Sequence, residues 1–100
     1  MTFVKAASKK DLEPGILGVK LNGKDVLIVI SNGKYYALGN ACTHRGCKLS
    51  DGMVKEGSIK CPCHGSVFDV KTGKLINGPA KEPEPSFKVK VKGDQILVNI

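Results

Sequence analysis

The chain has 100 residues, 41% of them hydrophobic and 25% charged, which is the length of one domain with ordinary globular composition and excludes a disordered chain. Its net charge is +7, and Arg45 is the one arginine among the basic residues. No run approaches the roughly eighteen apolar residues of a membrane-spanning helix, and Met1-Thr2-Phe3-Val4-Lys5 lacks a basic-then-apolar signal pattern; taking Met1 as the start, a cytoplasmic protein without a membrane anchor is expected.

In chain order, Thr2 to Ala6 can form a first strand, and the polar stretch from Ser8 to Gly15, with its Pro14-Gly15 pair, reads as a loop. Ile16 to Leu21 then meets Asn22-Gly23, a strong short hairpin signal. Asp25 to Ile30 is a continuous apolar, β-branched run of strand length. Ser31-Asn32-Gly33 gives a second hairpin turn into Lys34 to Leu38. Between Leu49 and Lys60 the sequence predicts a turn at Asp51-Gly52 and a short strand at Ser58 to Lys60. Val67 to Val70 follows, and Thr72-Gly73 turns the chain again.

Residues 77 to 85 hold Pro79, Pro83 and Pro85, so no central strand can cross them. Phe87 to Val91 and Gln95 to Ile100, joined through Lys92-Gly93-Asp94, read as a closing hairpin. No amphipathic helix of useful length, internal repeat or low-complexity tract is present. The expected fold is all-β: an antiparallel sandwich or barrel-like base, with a further subdomain inserted at about residues 39 to 79. The lysines alternate with apolar residues, as in Phe87-Lys88-Val89-Lys90-Val91-Lys92. That pattern is the solvated face of a strand rather than a nucleic-acid stripe, and its summed field suits an acidic protein partner.

All four cysteines and both histidines fall in two short segments, Cys42-Thr43-His44-Arg45-Gly46-Cys47 and Cys61-Pro62-Cys63-His64-Gly65-Ser66-Val67-Phe68. Cys42-x-His44 and Cys61-x-x-His64 each offer a cysteine followed by a histidine, with Gly46 and Gly65 where tight loops need unusual backbone angles. Two such loops together can present two thiolates and two imidazoles. One zinc ion can accept that set, and so can a two-iron cluster with two cysteines on one iron and two histidines on the other. Zinc ribbons and fingers usually pair cysteines as C-x(2–4)-C, unlike the C-x-H and C-x-C-H found here.

The two segments resemble the Rieske [2Fe-2S] pattern C-x-H-x(15–17)-C-x-x-H, in the form where C-T-H-x-G-C and C-P-C-H-G-S carry an extra cysteine each. The resemblance implies one [2Fe-2S] cluster, with Cys42 and Cys61 on one iron and His44 and His64 on the other. It further implies a disulfide between Cys47 and Cys63, a Ser66 hydroxyl directed at a cluster sulfur, and a covering loop at Gly78-Pro79-Ala80. Phe68 departs from the tyrosine usual in high-potential members. In a cytoplasmic protein the implied disulfide would be unusual outside hyperthermophiles.

Two ferric ions, two sulfides and two thiolates sum to zero charge, so a gained electron gives −1, whereas four thiolates would take the cluster from −2 to −3. Neutral imidazoles therefore raise the potential, and imidazoles facing solvent couple electron uptake to proton uptake. No Ser/His/Asp set, glycine-rich nucleotide loop or carboxylate pair points to substrate turnover. The expected function is that of a one-electron carrier, a Rieske-type ferredoxin and not an enzyme. It would serve between an NAD(P)H-dependent reductase and an oxygenase or other acceptor, acidic at its docking face, with no role for nucleic acid. Two alternatives are the Rieske-like small subunit of a nitrite reductase or arsenite-oxidase type enzyme, and a zinc-stabilised binding module.

Overall fold

The computed structural model describes residues 2–41, 47–63 and 65–100. Among them are eleven strands in three antiparallel sheets and two short 3-10 turns, Lys9–Leu12 and Leu49–Asp51. The strands are β1 (Phe3–Ser8), β2 (Ile16–Leu21), β3 (Lys24–Ser31), β4 (Lys34–Gly39), β5 (Met53–Lys55), β6 (Ser58–Lys60), β7 (Val67–Asp69), β8 (Leu75–Asn77), β9 (Ser86–Phe87), β10 (Val89–Lys92) and β11 (Gln95–Asn99). They pair as β1-β11-β10, β2-β3-β4-β9 and β5-β6-β7-β8.

The organising strand is β3. Val26, Leu27, Ile28 and Val29 are all fully buried, and because side chains alternate across a strand they feed two cores. Val26 and Ile28 join Ala7, Leu12, Ala37, Ile96 and Val98 between the first two sheets. Leu27 and Val29 join Leu38, Leu49, Ile59, Cys61, Phe68, Val70 and Ala80 on the other side. Burial on both faces explains why this stretch lacks the polar alternation of an ordinary antiparallel strand. It also ties the third sheet to the base without a linker.

Three hairpins turn through residues with positive φ at both central positions: Asn22-Gly23, Asn32-Gly33 and Glu56-Gly57. Such turns match the right-handed twist of the flanking strands. The first two are the expected ones. The third brackets β5, a strand not anticipated from the sequence, because glutamate is an uncommon occupant of the left-handed region. β8 is likewise an addition.

The closing hairpin is shorter than expected. Phe87 belongs to β9 and pairs with Ala37 of β4, whereas Val89 to Lys92 pairs with β11. The chain changes sheets at Lys88, which the uninterrupted Lys–Val alternation conceals. Residues 78–85 contain no strand, consistent with their prolines, and the Gly78–Pro79 peptide is cis. Every lysine is exposed, as the alternation predicts.

Candidate metal centre

The first ligand-bearing loop leaves β4 through Gly39, Asn40 and Ala41 and returns at Cys47 and Lys48. Its two ends are fastened. Ala41 and Lys48 form an isolated antiparallel bridge, and the Leu49 amide donates to the Asn40 carbonyl at 2.7 Å. The Asn40 side chain, almost fully buried, completes the clasp: its Oδ1 accepts from the Ser50 amide at 2.7 Å and its Nδ2 donates to Ser50 Oγ at 3.0 Å. The Asn40 amide donates to Asp25 O at 3.0 Å, anchoring the clasp to β3. On β2, Gly18 leaves the clasp room, since a Cβ there would stand 2.7 Å from both Asn40 Nδ2 and Ser50 Oγ. None of these three residues was singled out from the sequence. A glycine inside a strand pattern is the available signal, because it marks close approach of another group.

The second loop springs from β6 and enters β7. The Cys61 amide donates to Ser66 O at 2.7 Å, and the Gly65 amide donates to Cys61 O at 3.2 Å. Gly65, at φ +81°, takes the left-handed turn that closes this short span. Cys61 is 2% exposed and in no disulfide. It lines a cleft of about 480 Å³ with Asp51, Gly52, Met53, Lys60, Pro62 and Gly65. Cys47 and Cys63 are disulfide-bonded, with Cα atoms 6.4 Å apart, and so join the first loop to the second.

Ser66 is fully buried, and its Oγ accepts the Ala80 amide at 2.9 Å. The hydroxyl proton is thus not used in that bond and remains available to a further acceptor. The same contact draws the Pro79 segment against the second loop. Phe68, fully buried, pairs with Ile59 across β6 and with Leu75 across β8, in the core that also holds Cys61. Cys42, His44 and His64 lie outside the described residues. Among the described residues no group of three or more His, Cys, Asp or Glu side chains could hold a metal ion.

Comparison with known proteins decides the family. The model of the Rieske [2Fe-2S] domain matches residues 2–95. The chain belongs to that family. It is 33% identical over 99 residues to the ferredoxin component of the naphthalene 1,2-dioxygenase/salicylate 5-hydroxylase systems of a Ralstonia species, covering 98% of this chain and 95% of that one. The solved ferredoxin of carbazole 1,9a-dioxygenase from Nocardioides aromaticivorans IC177 matches with a TM-score of 0.91 and 34% identity, over 98% of this chain and 97% of that one. A chain from the complex of reduced oxygenase and oxidized ferredoxin in carbazole 1,9a-dioxygenase matches with a TM-score of 0.88 and 32% identity, over 96% and 91%.

A Rieske domain carries one [2Fe-2S] cluster. The described residues suit it: a buried, unbridged Cys61 thiol, a buried Ser66 hydroxyl with its proton uncommitted to Ala80, and two loops fixed to each other by a disulfide. No helix among the described residues is long and apolar enough to cross a membrane.

Proposed function

We propose that this protein is a soluble, cytoplasmic Rieske-type ferredoxin, a one-electron carrier without substrate turnover of its own. The observation that carries this reading is its correspondence over nearly its full length to a dioxygenase ferredoxin, which it covers to 97%. A bound [2Fe-2S] cluster takes up and releases a single electron.

The protein's residues hold, tune and present that centre. Cys42 and Cys61 would ligate one iron, and His44 and His64 the other. Supporting this are the ligand spacing and the buried thiol of Cys61. Ser66 would donate its hydroxyl proton toward a cluster sulfur, supported by its oxygen already accepting from Ala80. Gly78-Pro79-Ala80 would cover one side, supported by the burial of Ala80. Neutral imidazoles in place of two thiolates set a potential above that of four-cysteine clusters.

An NAD(P)H-dependent reductase is the proposed donor and an oxygenase the proposed acceptor, the latter supported by the complex in which a related ferredoxin meets its oxygenase. With a net charge of +7, the carrier favours an acidic docking face on each partner. Dye-mediated redox titration tests the function. The expected result is reversible uptake of one electron per chain with a Rieske absorption change, and a chain that takes up none refutes it.

A further inference from the structure

Of the nine acidic residues, Glu84 alone is buried, at 4% exposure; the others are exposed or half-buried. It lies between Pro83 and Pro85 on the approach to β9, and hydrogen bonds fix the backbone on either side. The Glu84 amide donates to Gly73 O, and the Gly39 amide donates to Pro85 O, both at 2.9 Å.

Two glycines make the seat. A Cβ on Gly73, which has φ +78°, would collide with the Glu84 carbonyl. A Cβ on Gly39 would stand 2.8 Å from Glu84 Oε1. The carboxylate therefore lies against Gly39, three residues ahead of Cys42 in the chain. Glu84 and Ala41 line one cavity of about 330 Å³, with Lys24, Asp25, Gly39, Asn40, Pro85 and Phe87. Ala41 is bonded directly to Cys42.

A buried charge acts over longer distances than an exposed one, because little water screens it. We propose that Glu84 is a potential-setting residue: its ionised carboxylate, seated beside the root of the first ligand loop, opposes the negative charge that arrives with the electron and holds the midpoint down. This rests on the cluster reading above. The sign is independent of whatever the carboxylate pairs with. Removing the negative charge while any paired cation keeps its own makes the surroundings more positive by one charge, and that favours the reduced form.

The test compares cluster-loaded wild type, Glu84→Gln and Glu84→Asp by protein-film voltammetry at one pH and ionic strength. Redox-difference infrared spectra of wild type with 13C-labelled glutamate accompany it. Glu84→Gln is expected to keep a normal cluster spectrum and shift its midpoint upward. Glu84→Asp retains the charge and is expected to shift less, and the wild-type spectrum is expected to show an ionised glutamate band perturbed on reduction. An intact Glu84→Gln cluster with an unchanged or lowered midpoint overturns the proposal. An equal shift in Glu84→Asp also overturns it, since displacement of Gly39 rather than charge would then be the cause. If Glu84→Gln does not fold, the infrared experiment decides, with the Glu84 band identified by its absence from labelled Glu84→Asp: a protonated or unperturbed carboxyl overturns the proposal and a perturbed carboxylate supports it. A wild-type protein without a Rieske spectrum would instead sink the cluster reading itself.

Discussion

At the scale of single residues, the ligands and their immediate neighbours divide the work of binding and tuning. His64→Ala removes one of two imidazoles, and the expected outcome is loss of the cluster, measured as iron content and visible absorption of the purified protein. Retention of both would remove His64 from the ligand set. Phe68 is a subtler case. It fills a fully buried position beside Ile59 and Leu75, in the core shared with Cys61, but it has no hydroxyl to donate. A donor to a ligand sulfur strengthens as negative charge arrives, so Phe68→Tyr should raise the midpoint. A differential gain of about 1 kcal/mol corresponds to roughly 40 mV for one electron. Voltammetry of the intact variant checks this, and an unchanged or lowered midpoint would mean that the hydroxyl does not reach a ligand sulfur.

At the scale of elements, two fastenings bring the loops to their places. The clasp of Asn40 and Ser50 closes the first loop at its root, and Gly18 on β2 is shaped to it. Gly18→Ala places a methyl group within 2.7 Å of both partners, an overpacking expected to cost about 1–3 kcal/mol. Thermal melts of the loaded protein measure that cost, and an unchanged melting temperature would show that the clasp yields freely. The Cys47–Cys63 bond closes a loop with a sequence separation of 16, for which the chain-entropy model gives about 3 kcal/mol. Replacing both cysteines with serine should leave the cluster assembled and lower the melting temperature, since a bound cluster still joins the loops through its own ligands.

The sequence exposed these elements unevenly, for physical reasons. Asn-Gly turns and β-branched runs declare strands directly, so β2, β3 and β4 were legible to within a residue or two. β5 was hidden by a glutamate in the left-handed position at Glu56, and the change of sheet at Lys88 by a pattern that stays regular across it. The proposed ligands were named from their spacing, and of them Cys61 alone lies among the described residues. Asn40, Ser50 and Glu84 were not legible, because ordinary polar residues acquire a role only from what tertiary folding sets beside them.

At the scale of the whole molecule, fifteen exposed lysines surround a core divided by β3, and their summed field reaches a partner before any contact forms. Raising ionic strength from about 0.01 M to about 1 M contracts the screening length from roughly 30 Å to 3 Å. The rate of electron delivery to an oxygenase partner, followed by stopped-flow, should fall across that range, and a rate indifferent to salt would exclude electrostatic steering. All of this depends on the proposed centre, in which two cysteines and two histidines would hold the cluster. The most direct measurement is pulsed electron paramagnetic resonance of the reduced protein, prepared with natural histidine and again with 15N-histidine. The expected spectrum is that of a spin-coupled two-iron cluster with two directly bound histidine nitrogens, both altered by the label. A spectrum without histidine coupling, or a reduced protein with no paramagnetic signal, would contradict it.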